Sequence, residues 1–281
     1  MTRPQEDLKT GGATSATPGH PGRAGVAAPL LACAHVSKSF GGVHAVRDVS
    51  LAVPEGGIVS LIGPNGAGKT SLFNCLSGYL PPDSGTVVFD GTPVAGVGLH
   101  RAARLGLVRT FQNIRMFSAL TVMESLIAAQ HLRARTGPVA RLLGLPKASR
   151  EWKRMVARAE ELTELLGLVE HRNLRASRLP LLEQRKLEVG RALATGPRMV
   201  LLDEPSAGAT PKEAEELVGI IRAVNSSGIA VLLIEHSMSV VMDVSRWIHV
   251  MHLGELLVEG TPAEIARHDE VRRIYLGDDD E

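Results

Sequence analysis

The sequence predicts an α/β fold with a helical subdomain inserted into its core. Three observations carry that prediction. Short apolar, β-like runs alternate with helical periodicities along most of the 281 residues. A glycine-rich stretch, GPNGAGKTS (63–71), joins one such run to a helical pattern. Residues 121–175 break the alternation, with helical periodicity and no strand-like run.

In chain order, residues 1–28 are dominated by Gly, Ala, Thr and Pro without hydrophobic period, which predicts a disordered tail. Residues 29–276 then form the folded domain. Its candidate strands are LLACAHVS, GIVSLIG, GTVVFDG, MVLLDE, IAVLLIEH and WIHVMHLGELLVEG. VMESLIAAQHLRAR and REWKRMVARAEELTELLGLV place helices in the insertion, which spans about 113–190. The final GDDDE (277–281) reads as a solvated acidic tail. Apolar residues make up 44% of the chain and the formal net charge is +1, so the total charge points to no nucleic-acid partner. No apolar run approaches the ~20 residues of a membrane-spanning helix, and no secretory signal opens the chain. Cys33 and Cys75 lack CxxC spacing and read as buried small hydrophobes of a reduced, cytosolic protein.

The glycine-rich stretch fits G-x-x-x-x-G-K-[ST] in the strand–loop–helix setting that gives the motif meaning. Backbone N–H groups around Gly63, Asn65, Gly66 and Gly68 would curl about phosphate oxygens at a helix N-terminus. Lys69 would reach the β- and γ-phosphates, Thr70 would ligate Mg²⁺, and Ser71 would belong to the nucleotide-binding set. MVLLDEP (199–205) ends an apolar strand in two acids. Downstream of such a loop, Asp203 reads as the Mg²⁺ carboxylate and Glu204 as the group polarising the attacking water.

With these motifs in place, residues 30–276 resemble the ATP-binding subunits of ABC transporters. That resemblance implies an α/β P-loop NTPase of ABC ATPase type with an inserted helical subdomain and antiparallel β elements. RTFQNI (109–114) is similar to the family's Q-loop, implying that Gln112 contacts Mg²⁺ and water and senses a membrane subunit. IEH (234–236) is similar to its H-switch, implying that His236 reaches the γ-phosphate. Phe40 stands where the family stacks an aromatic on adenine. A core histidine and a core aromatic are the bland alternatives for these two. The stretch from VRTFQNI through the long insert, with the ending EGTPAEIARHDEVRRIYLG, looks like the importers of branched-chain amino acids and related small solutes.

Two motifs depart from the family. Its L-S-G-G-Q signature falls on Leu179, Pro180, Leu181, Leu182 and Glu183. In the family that motif caps the nucleotide held by a partner subunit. Proline has neither hydroxyl nor N–H, and leucine adds bulk where glycine permits close approach. The loop after DEP reads SAGATP, with Ala209 and Thr210 in the places of Leu and Asp or Asn. Both altered motifs serve the partner's nucleotide, whereas the motifs serving this chain's own nucleotide are intact. Neutral variation of the signature is the competing explanation.

The resemblance implies ATP and Mg²⁺ as ligands and a second ABC ATPase subunit in a heterodimer. It also implies two transmembrane permease subunits, a solute-binding protein, and a peripheral location at the cytoplasmic face of the membrane. The rivals are an exporter or lipid-transport ATPase, a soluble ABC-type factor of DNA repair or translation, and a signalling module without turnover. The soluble factors carry two cassettes or a long coiled-coil insertion, and this sequence has neither.

Deletion of residues 1–28 is expected to leave Tm and ATPase rate unchanged, because the segment has no apolar face to bury. A fall of several degrees in a thermal melt would show a docked tail.

Overall fold

Two sheets meet over one helix in the computed structural model, which describes residues 28–110, 119–133 and 146–276. The first half of the chain forms β1 (Leu31–Phe40), β2 (Val43–Val53), β3 (Ile58–Ile62), α1 (Lys69–Leu76), β4 (Ser84–Phe89), β5 (Thr92–Pro93), α2 (Leu99–Leu105) and β6 (Leu107–Arg109). Helices α3 (Val122–Ala129), α4 (Pro146–Leu165) and α5 (Leu181–Ala194) follow. The remainder is β7 (Met199–Asp203), α6 (Pro211–Ser226), β8 (Ala230–Ile234), α7 (Met238–Val244), β9 (Trp247–His252), β10 (Glu255–Gly260), α8 (Pro262–Ile265) and α9 (Asp269–Leu276). The expected tails, residues 1–27 and 277–281, lie outside the described residues, as does Gln112.

The smaller sheet is antiparallel, in the order β2-β1-β4-β5, and the larger runs β10-β9-β3-β8-β7-β6. In the larger sheet only the β9–β10 pairing is antiparallel. The apolar runs behave as strands with two buried faces. Met199 and Leu201 of β7, with Leu232 and Ile234 of β8, face α1 and the smaller sheet. Val200, Leu202, Val231 and Leu233 face the helices on the other side. Helix α1 is filling between the sheets: Leu72, Phe73, Cys75 and Leu76 are buried in the first of these layers.

Local chemistry sets the helix starts. Thr121, Thr210 and Thr261 each cap a helix by accepting from the N–H three residues on, and Glu124, Glu213 and Glu264 return the bond. Pro211 and Pro262 occupy first-turn positions where the missing N–H has no consequence. One expectation needs correction, and two strands were not read from sequence. WIHVMHLGELLVEG is two strands rather than one, because Leu253 and Gly254 take left-handed φ of 48° and 88° and turn the chain back. Strand β2 escaped the sequence reading because its inward pattern is broken by register shifts against β1 and by Asp48 at φ 50°. Strand β6 is three residues long, too short to show a period.

The inserted helices pack as α3 and α4 against α5. Gly190 on α5 is where they approach: a Cβ there would lie 2.4 Å from a methyl of Leu166 and 3.0 Å from one of Leu126. Both cysteines are free and buried, and burial pushes the Cys33 thiol up to about 12 and that of Cys75 to about 11. Neither is poised as a nucleophile. Among the described residues no helix is long and apolar enough to cross a membrane.

Leu126, fully buried between α3, α4 and α5, is expected to cost about 2–5 kcal/mol on replacement by Ala. Urea denaturation of the purified chain measures it, and a loss below about 1 kcal/mol would show that the helices do not share one core.

Candidate functional site

The loop from β3 to α1 is shaped by backbone contacts that exclude side chains. A Cβ on Gly63 (φ 152°) would stand 2.2 Å from the Met251 carbonyl oxygen of β9. One on Gly68 (φ 95°) would stand 2.0 Å from the Ala45 carbonyl oxygen of β2. Gly66 (φ 82°) has open space around it but a left-handed backbone that favours glycine. The loop is therefore wedged between the two sheets. The Gly254 N–H donates to Ala67 O at 3.1 Å and the Arg47 N–H to Gly254 O at 2.7 Å, tying loop, hairpin and smaller sheet together.

Gly68 is the N-cap of α1 and offers no side-chain cap. The first-turn N–H groups of α1 thus face outward with the positive end of the helix dipole. They open onto a cleft of about 470 Å³ lined by Asn65, Gly66, Ala67, Gly68, Lys69, Thr70, Ser71 and Glu204, together with Val43, His44, Ala45 and Arg47 of β2 and Leu253 and Gly254 of the β9–β10 turn. Lys69 curls back over the loop, donating from Nζ to the carbonyls of Gly63 at 2.7 Å and Pro64 at 3.0 Å. Burial holds its ammonium below the usual lysine range, and the carboxylates of Glu204 and Asp203 push the other way. A cation held by carbonyl oxygens, set beside uncapped amides, is suited to an anion arriving from the cleft.

The two acids stand together at the end of β7, two strands from β3. Asp203 closes β7 and is buried; its Oδ2 accepts from Arg109 Nη2 at 2.8 Å. Arg109, at the end of β6, also donates to Asn74 of α1 and lies over the Phe73 ring at 4.6 Å. Glu204 has a left-handed backbone, φ 47°, an uncommon conformation for a glutamate, and its side chain reaches the cleft. His236 follows β8, is exposed, and places Nδ1 4.0 Å from Glu204 Oε2. The hydroxyl of Thr70 and the carboxyl of Asp203 are hard oxygen donors, and among the described residues no three His, Cys, Asp or Glu converge as a metal cage. That donor set fits a Mg²⁺ that takes few protein ligands and relies on phosphate oxygens.

Of the residues expected from sequence, Asn65, Gly66, Gly68, Lys69, Thr70, Ser71 and Glu204 line the cleft together. Gly63, Asp203 and His236 border it without lining it. Phe40 ends β1 at the Gly41-Gly42 turn, half exposed, with Lys38 Nζ 5.7 Å from its ring. The cleft wall on that side is Val43 and His44 rather than Phe40. Arg109 and the lining residues from β2 and the β9–β10 turn were missed, although Arg109 was visible as a charge inside an apolar run.

The altered signature begins α5. Pro180 is its N-cap, at φ −55° and ψ 162°, with no side-chain cap. Leu179 and Leu182 turn inward and are buried, while Leu181 is 48% exposed at the tip. The helix start survives the proline, and a hydrocarbon side chain stands where the family has glycine.

Residues 46–207 match the family model described as ABC transporter. The chain belongs to that family. Residues 255–281 match a second model, for branched-chain amino acid ATP-binding cassette transporters. The chain is 45% identical over 251 residues to the high-affinity branched-chain amino acid transport ATP-binding protein LivG of Salmonella typhimurium, covering 89% of this chain and 98% of that one. It is 41% identical to BraF of Pseudomonas aeruginosa, a protein of the same description, with the same coverage. A solved ATP-binding cassette of an ABC transporter in its ADP conformation superposes with a TM-score of 0.78 at 30% identity, covering 89% of this chain and all of the other.

Gly68→Ala is expected to abolish ATP binding and lower Tm, because its Cβ would overlap the Ala45 carbonyl oxygen and φ 95° is strained for alanine. Nucleotide titration and a thermal melt test both arms; normal binding would show that the loop does not depend on this contact.

Proposed function

We propose that this chain is the ATP-hydrolysing subunit of an ABC importer for branched-chain amino acids or related small solutes, peripheral to the membrane beneath its permeases. The observation that carries the reading is the cleft itself. Uncapped α1 amides, a buried lysine and the Glu204 carboxylate converge there, with Asp203 just behind Glu204 at the end of β7. ATP phosphates would be held by Lys69 and the loop amides from Gly63 to Ser71. Mg²⁺ would be held by Thr70 and Asp203, with Gln112, and would neutralise charge on the phosphate oxygens. Glu204 would orient and polarise the attacking water, and His236 would contact the γ-phosphate from the next strand end. Closure around ATP would move two permeases between inward and outward access, and hydrolysis would reset them. The C-terminal match and the LivG and BraF likeness favour import of this solute class over export or a soluble role.

The partner ATPase is proposed to differ from this chain. This chain's own site would be completed by a partner's intact signature and would turn over. The partner's site would be capped by the α5 tip, where Pro180 lacks a hydroxyl and an N–H and exposed Leu181 adds bulk in place of a glycine. Loss of a pre-organised donor to developing charge costs about 10²- to 10³-fold in rate, enough to silence that site.

In the purified complex, Glu204→Gln is expected to remove nearly all turnover while ATP still binds, and the same change in the partner to remove little. Equal losses would overturn the asymmetric model. The converse variant is Pro180→Ser with Leu181→Gly, sparing Leu182 because that side chain is buried. It is expected to raise turnover at the partner's site, read with Glu204→Gln in place.

A further inference from the structure

Glu235 sits between β8 and His236 and is fully buried. The chemistry described above uses neither of its oxygens. Oε1 accepts from the Ser206 N–H at 2.8 Å and from its hydroxyl at 2.6 Å. Oε2 accepts from the N–H groups of His236 at 3.1 Å and Ser237 at 3.4 Å. Ser206 lies two residues past Glu204 and opens the turn to Thr210, held by Ala207 N–H to Glu204 O at 3.1 Å and Ala209 N–H to Ser206 O at 2.9 Å. One side chain therefore fastens the loop that follows the attacking-water acid to the loop that carries the γ-phosphate histidine. His236 Nδ1 stands 4.0 Å from a carboxylate oxygen of each glutamate, Glu204 and Glu235.

We propose that Glu235 is a positioning residue that makes the Ser206–Thr210 loop and His236 move as one body. Contacts made by that loop across the ATPase dimer are then transmitted to His236 within the same subunit. The physical basis is the cost of breaking the link. If the loops separate, the fully buried Glu235 carboxylate and the buried Ser206 N–H and O–H lose their partners, so the two loops shift together. A glutamine in this place has the same shape but only one accepting oxygen. Whichever way its amide turns, one loop is released. The inference rests on the reading of His236 as the γ-phosphate contact.

The test uses the complete complex with its permeases. Glu235→Gln is expected to lower kcat about tenfold, within the range of coupling-residue effects, while equilibrium Mg-ATP affinity changes less than about twofold. Ser206→Ala, which removes only the hydroxyl donor, is expected to lower kcat about threefold. The double variant is expected to match Glu235→Gln alone, because both act through one contact. Unchanged kcat in Glu235→Gln, multiplicative losses in the double variant, or parallel falls in kcat, ATP affinity and Tm would each overturn the proposal. If Glu235→Gln does not fold, Ser206→Ala decides: a kcat loss at constant affinity supports the link, and an unchanged kcat sinks it. His236→Ala separates the two readings. Normal turnover there refutes the assigned role of His236, whereas a dead His236→Ala beside a normal Glu235→Gln refutes only the coupling.

Discussion

The absence of a Cβ at two points of one loop is the constraint on which the molecule is built. At Gly63 the chain passes against the carbonyl of Met251, and at Gly68 against that of Ala45. These carbonyls belong to different sheets, so the phosphate-binding loop is also the joint between the sheets. Helix α1 runs from that joint into the space between them, and its apolar face becomes the centre of the larger core. Stability and nucleotide binding share the same atoms here. A side chain at either glycine would part the sheets as well as spoil the cradle.

What the sequence made legible was what depends on local pattern. The loop motif, the apolar strands β3, β7 and β8, and the helical insertion all follow from spacing within a dozen residues. The Walker-type acids were legible because a strand end fixes where its last side chains go. Pairings that close over long separations were not. Arg109 meets Asp203 across 94 positions, and Ser206 meets Glu235 across 29. No periodicity announces such contacts; they exist only after the strands lie side by side. Phe40 stands before the β1–β2 turn, and that turn carries Val43 and His44 to the cleft wall.

The two departures from the family pattern have one structural character. Both leave the backbone scaffold whole. Pro180 starts α5 without distorting it, and Thr210 still caps α6 through the reciprocal bonds with Glu213. What changes is the surface each element presents. A helix start can lose every side-chain donor and keep its dipole and its orphan amides. The fold is accordingly indifferent to a change that matters to anything docking against the tip.

Ile62, the last residue of β3 before the loop, does not belong to the core that holds α1. It packs instead with Val241, Ile248, Val250, Ile265 and Val271, a separate cluster that Leu257, Val258 and Tyr275 flank. Most of those residues lie near or beyond the point where the subgroup-specific C-terminal match begins. The strand that feeds the nucleotide loop thus shares a core with the segment that the branched-chain subgroup model matches. The shared engine and the divergent appendage are not separable units of inheritance. A C-terminal segment transplanted from another cassette would bring its own packing to the underside of the loop, and the two would have to diverge together.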